Sequence, residues 1–228
     1  MISENIRKIN RELPPEVKLV AVSKFHPVES IVEAYDAGQR VFGENRPQEL
    51  EAKVKAFAAG VEGFKGSPND LEWHFIGHLQ TNKLKMVLPY VSMVQSVDTL
   101  HLLQEINKWG TENGKVISVL LELHIGSEET KQGFHEEEVL DILFNTEKYP
   151  YIRFRGLMGM ASHTDDEAWV DADFERIDSF MAYLVELFPE LDGFDQLSIG
   201  MSDDYHIALR HGSTMVRIGT AIFGSREY

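Results

Sequence analysis

Short runs of apolar, β-branched residues alternate with longer amphipathic segments along the whole chain, which predicts strands alternating with helices. The predicted strands cover residues 18–24, 40–45, 71–77, 93–98, 116–126, 152–162, 195–202 and 214–224. Seven helices are predicted between them, at residues 27–38, 46–59, 81–91, 99–114, 135–150, 172–190 and 203–212. The first of these opens with Pro27 and closes with Gly38, which are typical residues for the two ends of a helix.

Eight strands alternating with helices predict a parallel sheet that closes into a single (β/α)8 TIM barrel. The chain stops soon after the last strand, so no eighth helix is expected there. The amphipathic segment 2–13 is predicted to close the outer ring in its place. No G-x-G-x-x-G motif follows the first strand, which disfavours a dinucleotide-binding sheet. Residues 58–70 are predicted to form a surface loop, because a domain boundary there would leave two half-barrels with unpaired edges.

Composition narrows the class of protein. The net charge is −15, from 22 basic and 37 acidic residues without a basic cluster, so no nucleic-acid partner is expected. The chain has no cysteine, which excludes disulfides, thiolate nucleophiles and cysteine-based metal sites. The N-terminus carries charges throughout and no apolar run is long enough to span a membrane, so we expect a cytoplasmic protein without a membrane partner.

In a TIM barrel the chemistry lies where the strands end, and the last two strands end in small, hydroxyl-bearing turns. Met201 and Ser202 follow Gly200, and Gly219 is followed by Thr220. Loops after the seventh and eighth strands often bind phosphate in such barrels. These turns therefore predict a phosphate site, although Gly-Ser and Gly-Thr pairs are also common in ordinary turns.

Two cations share this predicted rim. Arg217 alternates with apolar neighbours in the last strand, so its guanidinium must be buried and needs an acceptor. Lys24 follows the first strand, where a lysine alone is most often a solvated charge. Beside a phosphate site, a desolvated lysine could instead form a Schiff base with an aldehyde. Pyridoxal 5′-phosphate (PLP) carries both groups.

Two other patterns carry less weight. His74 and His78 are four residues apart, but Gly77 breaks the helix that a zinc motif would need and no third ligand is evident, so no metal site is predicted. The acidic run at 135–139 is typical of a solvated helix N-terminus.

Five motifs resemble those of the pyridoxal phosphate homeostasis protein family. They are KLVAVSKFHP, VFGENRPQE, EWHFIGHLQTNK, GLMGMAS and LSIGMSDDYHIALRHGSTMVRIGTAIFG. The match runs from about Lys18 to the C-terminus. The resemblance implies one PLP-binding barrel domain over residues 1–228, similar to the N-terminal domain of alanine racemase.

The resemblance also implies a cofactor-binding set. Its members are Lys24, Asn45, Met201, Ser202, Arg217, Gly219 and Thr220. Lys24 matches the PLP-bearing lysine, and Arg217 falls where an arginine meets the pyridine nitrogen. The chain departs from the family pattern at His124, where asparagine is usual, and in the long 58–70 loop.

The family implies a PLP-binding role in vitamin B6 and amino-acid homeostasis, without a catalytic reaction. An arginine at the pyridine nitrogen leaves that nitrogen unprotonated, which weakens the ring as an electron sink. We also expect no room after the last strand for the second domain of alanine racemase. PLP-accepting apoenzymes are the partners that this role implies, and the chain is expected to be a monomer, with a dimer as the alternative.

Two other functions stay open at this stage. The first is a PLP-dependent amino-acid racemase or lyase with His163 or Tyr205 as a further base. The second is a barrel enzyme in which Lys24 forms an imine with a phosphorylated sugar and no PLP takes part.

Overall fold

A computed structural model of the chain describes residues 1–126 and 132–224, and in this part of the chain eight parallel strands form a closed barrel. The strands are β1 (Lys18–Val22), β2 (Val41–Glu44), β3 (Glu72–Phe75), β4 (Met93–Val97), β5 (Ile117–Glu122), β6 (Ile152–Met158), β7 (Gln196–Ser198) and β8 (Met215–Ile218). Each strand pairs with its sequence neighbours, and β8 pairs with β1 to close the ring, with Val20 opposite Arg217. The predicted (β/α)8 barrel is confirmed.

Helices surround this barrel. They are α1 (Ile2–Glu12), α2 (Val28–Asp36), α3 (Pro47–Ala59), α4 (Leu84–Val87), α5 (Leu100–Asn113), α6 (Glu136–Leu143), α7 (Glu167–Leu187), α8 (Tyr205–Ala208) and α9 (Thr220–Phe223). Short 3-10 turns lie at Pro68–Asp70, Thr81–Lys83 and Thr146–Lys148. The α1 helix packs against α2 and α9, so the N-terminal segment closes the outer ring as expected.

Five helix predictions need correction. Two helices are shorter than predicted, α4 (Leu84–Val87) and α6 (Glu136–Leu143), and a 3-10 turn takes up part of each predicted range. A short helix, α9, does follow the last strand, because β8 ends at Ile218 and Thr220–Phe223, predicted as part of the strand, form a helical turn. The α7 helix begins five residues before the predicted start, since the Asp166 side chain accepts a hydrogen bond from the Ala168 N–H and caps it there. The α8 helix begins at Tyr205 rather than at Asp203.

The strands are shorter at their carboxyl ends than the apolar pattern suggests. The β1 strand ends two residues before Lys24, and β7 ends at Ser198, four residues before Ser202. The residues after each strand end leave the sheet pairing and form the rim of the barrel. This is the end of the barrel at which the predicted site residues gather.

Apolar side chains form two layers. The larger layer lies between the sheet and the helices and includes Phe42, Phe75 and Phe174, all fully buried. The smaller layer fills the barrel interior and consists of Val20, Val41, Met93, Leu120, Met158 and Met215, with Met160 packed against it. Alternation along each strand separates the two layers.

The predicted surface loop is ordered on the outside of the barrel. Ser67 and Asp70 form a capping box at its 3-10 turn, and the Tyr35 hydroxyl donates to Asp70 at 2.7 Å. Phe64 packs edge-on against Phe57 and Tyr35. In the described residues, no helix is long and apolar enough to cross a membrane.

Candidate functional site

A cavity of about 390 Å³ opens at the carboxyl ends of the strands. Its lining residues are Val22, Lys24, Asn45, Ile76, Gly77, His78, Glu122, Gln132, Met160, Met201, Ser202, Asp203, Arg217, Gly219 and Thr220. All seven residues of the predicted cofactor-binding set are among them. A volume of this size lies in the range of small-molecule sites.

The turn that carries Lys24 is held on both sides. Before it, the Ser23 N–H donates to the Gly43 carbonyl at 3.1 Å, and the Ser23 carbonyl accepts from the His26 N–H at 3.1 Å. After it, Phe25 has a φ of 67°, which is unusual for a residue with a side chain. The Phe25 N–H donates to a Glu49 carboxylate oxygen at 2.6 Å, which helps to hold this conformation.

A buried ammonium group ties the same turn to α3. Lys53 donates to the Ser23 carbonyl at 2.8 Å and to carboxylate oxygens of Glu44 and Glu49, each at 2.7 Å. These three acceptors match the three hydrogens of an ammonium group. Glu44 is fully buried and also accepts from the Ser23 hydroxyl at 2.6 Å. Burial raises the pKa of Glu44, while the charge of Lys53 opposes that rise.

Asn45 follows this cluster and turns into the cavity. A Cβ at Gly77 would lie 2.7 Å from the Asn45 Cβ, so only glycine permits this close approach. The Asn45 Oδ1 atom is buried without a hydrogen-bond partner. Such an atom costs free energy unless a ligand or a water donates to it.

The two predicted phosphate turns lie against each other. The Ser202 hydroxyl accepts hydrogen bonds from the N–H groups of Gly219 and Ala221, at 3.3 and 3.4 Å. These bonds are long, so an anion could compete for both donors. A Cβ at Gly219 would lie 3.3 Å from the Val22 Cβ, which favours glycine here. Met201 also lines the cavity, and its N–H already donates to Asp204 at 2.5 Å.

Arg217 lies inside the barrel beneath the cavity and is 4% exposed. Its guanidinium donates to the Ser198 carbonyl and hydroxyl, both at 2.7 Å, and to the Gly159 carbonyl at 2.9 Å. Burial lowers the pKa of Arg217 to about 10, opposed by the nearby charges of Glu122 and Asp204. The group is therefore still a cation at neutral pH.

Sequence reasoning missed two acids near the cavity, Glu122 and Asp98, and considered His78 beside them only as a metal ligand. Glu122 ends β5 and is 4% exposed, and burial raises its pKa to about 7, helped by the charge of Asp98. The His78 Nδ1 atom and the Asp98 Oδ2 atom are 2.7 Å apart. Glu122 closes a run of apolar residues in the predicted fifth strand, and a carboxylate at that position was the available signal.

Glu122 should make the stability of the fold depend on pH. Its pKa is raised from 4.5 to about 7, so its stabilising contribution is complete below pH 4.5 and is lost as pH rises through 7. We expect Glu122→Gln to gain stability relative to the wild type between pH 4.5 and 8, on the order of 3 kcal/mol. Urea unfolding at several pH values measures this difference. A constant difference across that range would contradict the assignment.

Other residues noted in the sequence lie elsewhere. His74 is buried in the barrel, and the described residues contain no group of three or more potential ligands that could hold a metal ion. Tyr205 does not line the cavity; its hydroxyl donates to Glu12 at 2.5 Å, and burial raises its pKa to about 12. His163 lines a neighbouring cavity that shares Met160, Met201 and Asp203 with the first.

The segment after β5 is described only in part. The His124 N–H donates to the Phe134 carbonyl at 2.9 Å, which ties the two ends of this segment together. Residues 127–131 of this segment lie outside the described residues, as do residues 225–228.

Comparisons with known proteins cover nearly the whole chain. The family model for the alanine racemase N-terminal domain matches residues 1–227. A protein of Pasteurella multocida (strain Pm70) named pyridoxal phosphate homeostasis protein is 41% identical over 230 residues, covering 100% of this chain and 95% of its own.

Solved structures agree with this. The structure of PipY from Synechococcus elongatus PCC7942 with PLP bound is 33% identical, with a TM-score of 0.87, and the match covers 98% of this chain and 100% of PipY. Alanine racemase from E. faecalis is 19% identical with a TM-score of 0.75, and the match covers 98% of this chain but 57% of the racemase. The likeness to the racemase is one of fold.

Proposed function

This chain belongs to the alanine racemase N-terminal domain family and, within it, to the pyridoxal phosphate homeostasis proteins, and on that premise we propose that it binds PLP. It holds the cofactor as a Schiff base on Lys24 and acts in intracellular PLP, vitamin B6 and amino-acid homeostasis. PLP supplies an aldehyde carbon, which condenses with a primary amine and releases water.

The residues around the cavity fit this cofactor. Lys24 provides the amine, and the N–H groups of Gly219 and Ala221, with the Ser202 hydroxyl, provide donors for the phosphate. Arg217 provides a cation for the pyridine nitrogen. The buried Asn45 Oδ1 atom, which has no protein partner, is an acceptor for a hydroxyl or water at the bound cofactor. Asp203 also lines the cavity, and its charge opposes that of the phosphate.

One observation carries the proposal: the lysine, the arginine and the anion-binding turns line one cavity, although they come from strands at opposite ends of the sequence. Titration of the purified protein with PLP tests it directly. We expect a yellow 1:1 complex whose imine absorbance saturates. A protein that stays colourless with PLP in excess would overturn both the proposed function and the racemase alternative.

The phosphate turn gives a second test. We expect Ser202→Ala to weaken PLP binding roughly tenfold, because a charge-assisted hydrogen bond to the phosphate is lost. Pyridoxal, which has no phosphate, should bind the variant and the wild type about equally. Equilibrium dialysis with each ligand measures the two ratios. An equal loss of affinity for PLP and for pyridoxal would show that Ser202 does not bind the phosphate.

We propose that the protein carries PLP rather than using it as a catalyst. Of the two bases considered for a racemase, Tyr205 donates to Glu12 outside the cavity, and His163 lines the neighbouring one. Arg217 also keeps the ring a poor electron sink. Incubation of the loaded protein with L-amino acids in deuterated water tests this, and we expect no catalytic exchange of the Cα hydrogen. Repeated turnover would support a racemase or lyase.

A carrier of this kind works in the cytoplasm, and its partners are PLP-accepting apoenzymes. We propose that it acts as a monomer.

A further inference from the structure

A chain of hydrogen bonds runs through the barrel interior from Arg217 to the opposite mouth. Arg217 donates to the Ser198 hydroxyl at 2.7 Å, and that hydroxyl donates to the Gln95 Oε1 atom at 2.7 Å. The Gln95 Nε2 atom lies 2.7 Å from the His74 Nδ1 atom. The His74 Nε2 atom lies 3.0 Å from a Glu72 carboxylate oxygen. The links span four strands, β8, β7, β4 and β3.

The direction of each link follows from the groups at the two ends. Hydrogen bonding to His74 lowers the pKa of Glu72 to about 2, so Glu72 is an ionised acceptor and the His74 Nε2 atom must donate to it. The Nδ1 atom of His74 then accepts from Gln95, which orients the amide and leaves its oxygen for Ser198. Every hydrogen bond therefore points from the guanidinium towards the carboxylate.

The interior of a TIM barrel is normally filled with branched apolar side chains. Here His74, Gln95 and Ser198 are each fully buried there. Burial lowers the pKa of His74, which keeps the ring neutral. Buried polar groups are costly unless every one is paired, and a fully paired network fixes one arrangement of its members. An apolar interior would fill the same space without fixing any orientation.

Arg217 is the member of this network that reaches the cavity. A guanidinium has five N–H donors, and three of them are used by Ser198 and Gly159, so two have no acceptor among the described residues. The Ser198 hydroxyl can accept from Arg217 in this geometry because its own hydrogen is committed to Gln95. The orientation of the two remaining donors thus depends on side chains that do not line the cavity.

We propose that Ser198 and Gln95, backed by His74, are positioning residues that orient the Arg217 guanidinium so that its remaining donors face the ring nitrogen of PLP. The inference rests on the proposed function, since it assigns the partner of Arg217 within that site. The residues act only through Arg217, so their effect on binding must depend on the presence of the ring nitrogen.

The test compares PLP with an analogue in which the ring nitrogen is replaced by C–H. We expect Ser198→Ala to raise the Kd of PLP roughly three- to tenfold, because a hydrogen bond that orients a charged group is lost. The Kd of the analogue should change by less than about twofold. Ser213→Ala is the matched control. Ser213 is also a buried, hydrogen-bonded serine, but its hydroxyl bonds only to the backbone carbonyls of Ile199 and Met215 and takes no part in this hydrogen-bond network.

The outcomes separate the proposals. An equal loss of affinity for PLP and for the analogue, or no loss for either, would overturn the positioning role. Failure of the wild type to bind PLP at all would instead overturn the proposed function. Gln95→Met is a second variant, which interrupts the hydrogen-bond network at a residue that does not contact Arg217. We expect the same selective loss of affinity for PLP, with a smaller magnitude. A loss of affinity confined to Ser198→Ala would contradict a role for the whole hydrogen-bond network.

Discussion

Lys24→Ala is expected to abolish the adduct that borohydride fixes in the PLP complex, because no other primary amine in the described part of the chain lines the cavity. The variant should still bind PLP noncovalently, since the phosphate turn and Arg217 are unchanged. Its spectrum should be that of the free aldehyde rather than that of an imine. Absorbance spectra before and after reduction, with intact mass, measure both effects.

Lys55→Ala is the control for this experiment. Lys55 lies on α3, is exposed, and pairs with Glu51 at 2.8 Å, away from the cavity. It should keep the adduct at wild-type level. An unchanged imine spectrum in Lys24→Ala would show that another lysine carries the cofactor.

The second large effect concerns stability. We expect Lys53→Met to lower the free energy of unfolding by about 3–5 kcal/mol, because it leaves the carboxylate of Glu44 buried without its cation. The Ser23 carbonyl and Glu49 lose the same donor. Urea unfolding at pH 7 measures the change, with circular dichroism confirming that the variant is folded without denaturant.

Lys55→Met is the matched variant for this prediction. Both lysines lie on α3 and pair with the glutamate four residues before them, but Lys55 is exposed whereas Lys53 is buried. A surface pair of this kind contributes little, so the variant should unfold close to the wild type. Equal effects of the two substitutions would contradict the structural role of the buried cluster.

The fold could be predicted because each strand and each long helix has its own periodic pattern. All eight strands were placed, since a buried parallel strand is a compact apolar run between turn residues. The predicted strands extend beyond the observed carboxyl ends, as at β1 and β7, because the apolar pattern continues into the rim after strand pairing stops. The helix α9 was missed for the same reason, because the run of a threonine and three apolar residues after Gly219 fits a strand as well as a helix.

Site residues could be predicted from the sequence where the residue type and its position in a strand already suggest a chemical role. Arg217 was predicted because a cation in an apolar strand needs a partner, and Lys24 because it follows the first strand on the same rim as the phosphate turns. The structure brings both residues to one cavity, while their roles stay predictions. Glu122 was missed because its neighbours Asp98 and His78 come from other strand ends, and sequence spacing does not show that they meet.

The hydrogen-bond network behind Arg217 could not be predicted for a similar reason. His74, Gln95 and Ser198 each look like an isolated polar residue in a strand. Only the closed barrel turns them towards one another, since alternate residues of every strand point inward and neighbouring strands bring them within hydrogen-bond distance.

The central claim is that Lys24 carries PLP at the rim of this barrel. Peptide mapping by mass spectrometry after borohydride reduction of the wild-type complex tests cofactor, linkage and residue together. We expect one phosphopyridoxyl group per chain, on the peptide that contains Lys24. A label on another lysine, or no label on a protein that has been incubated with PLP, would contradict the claim.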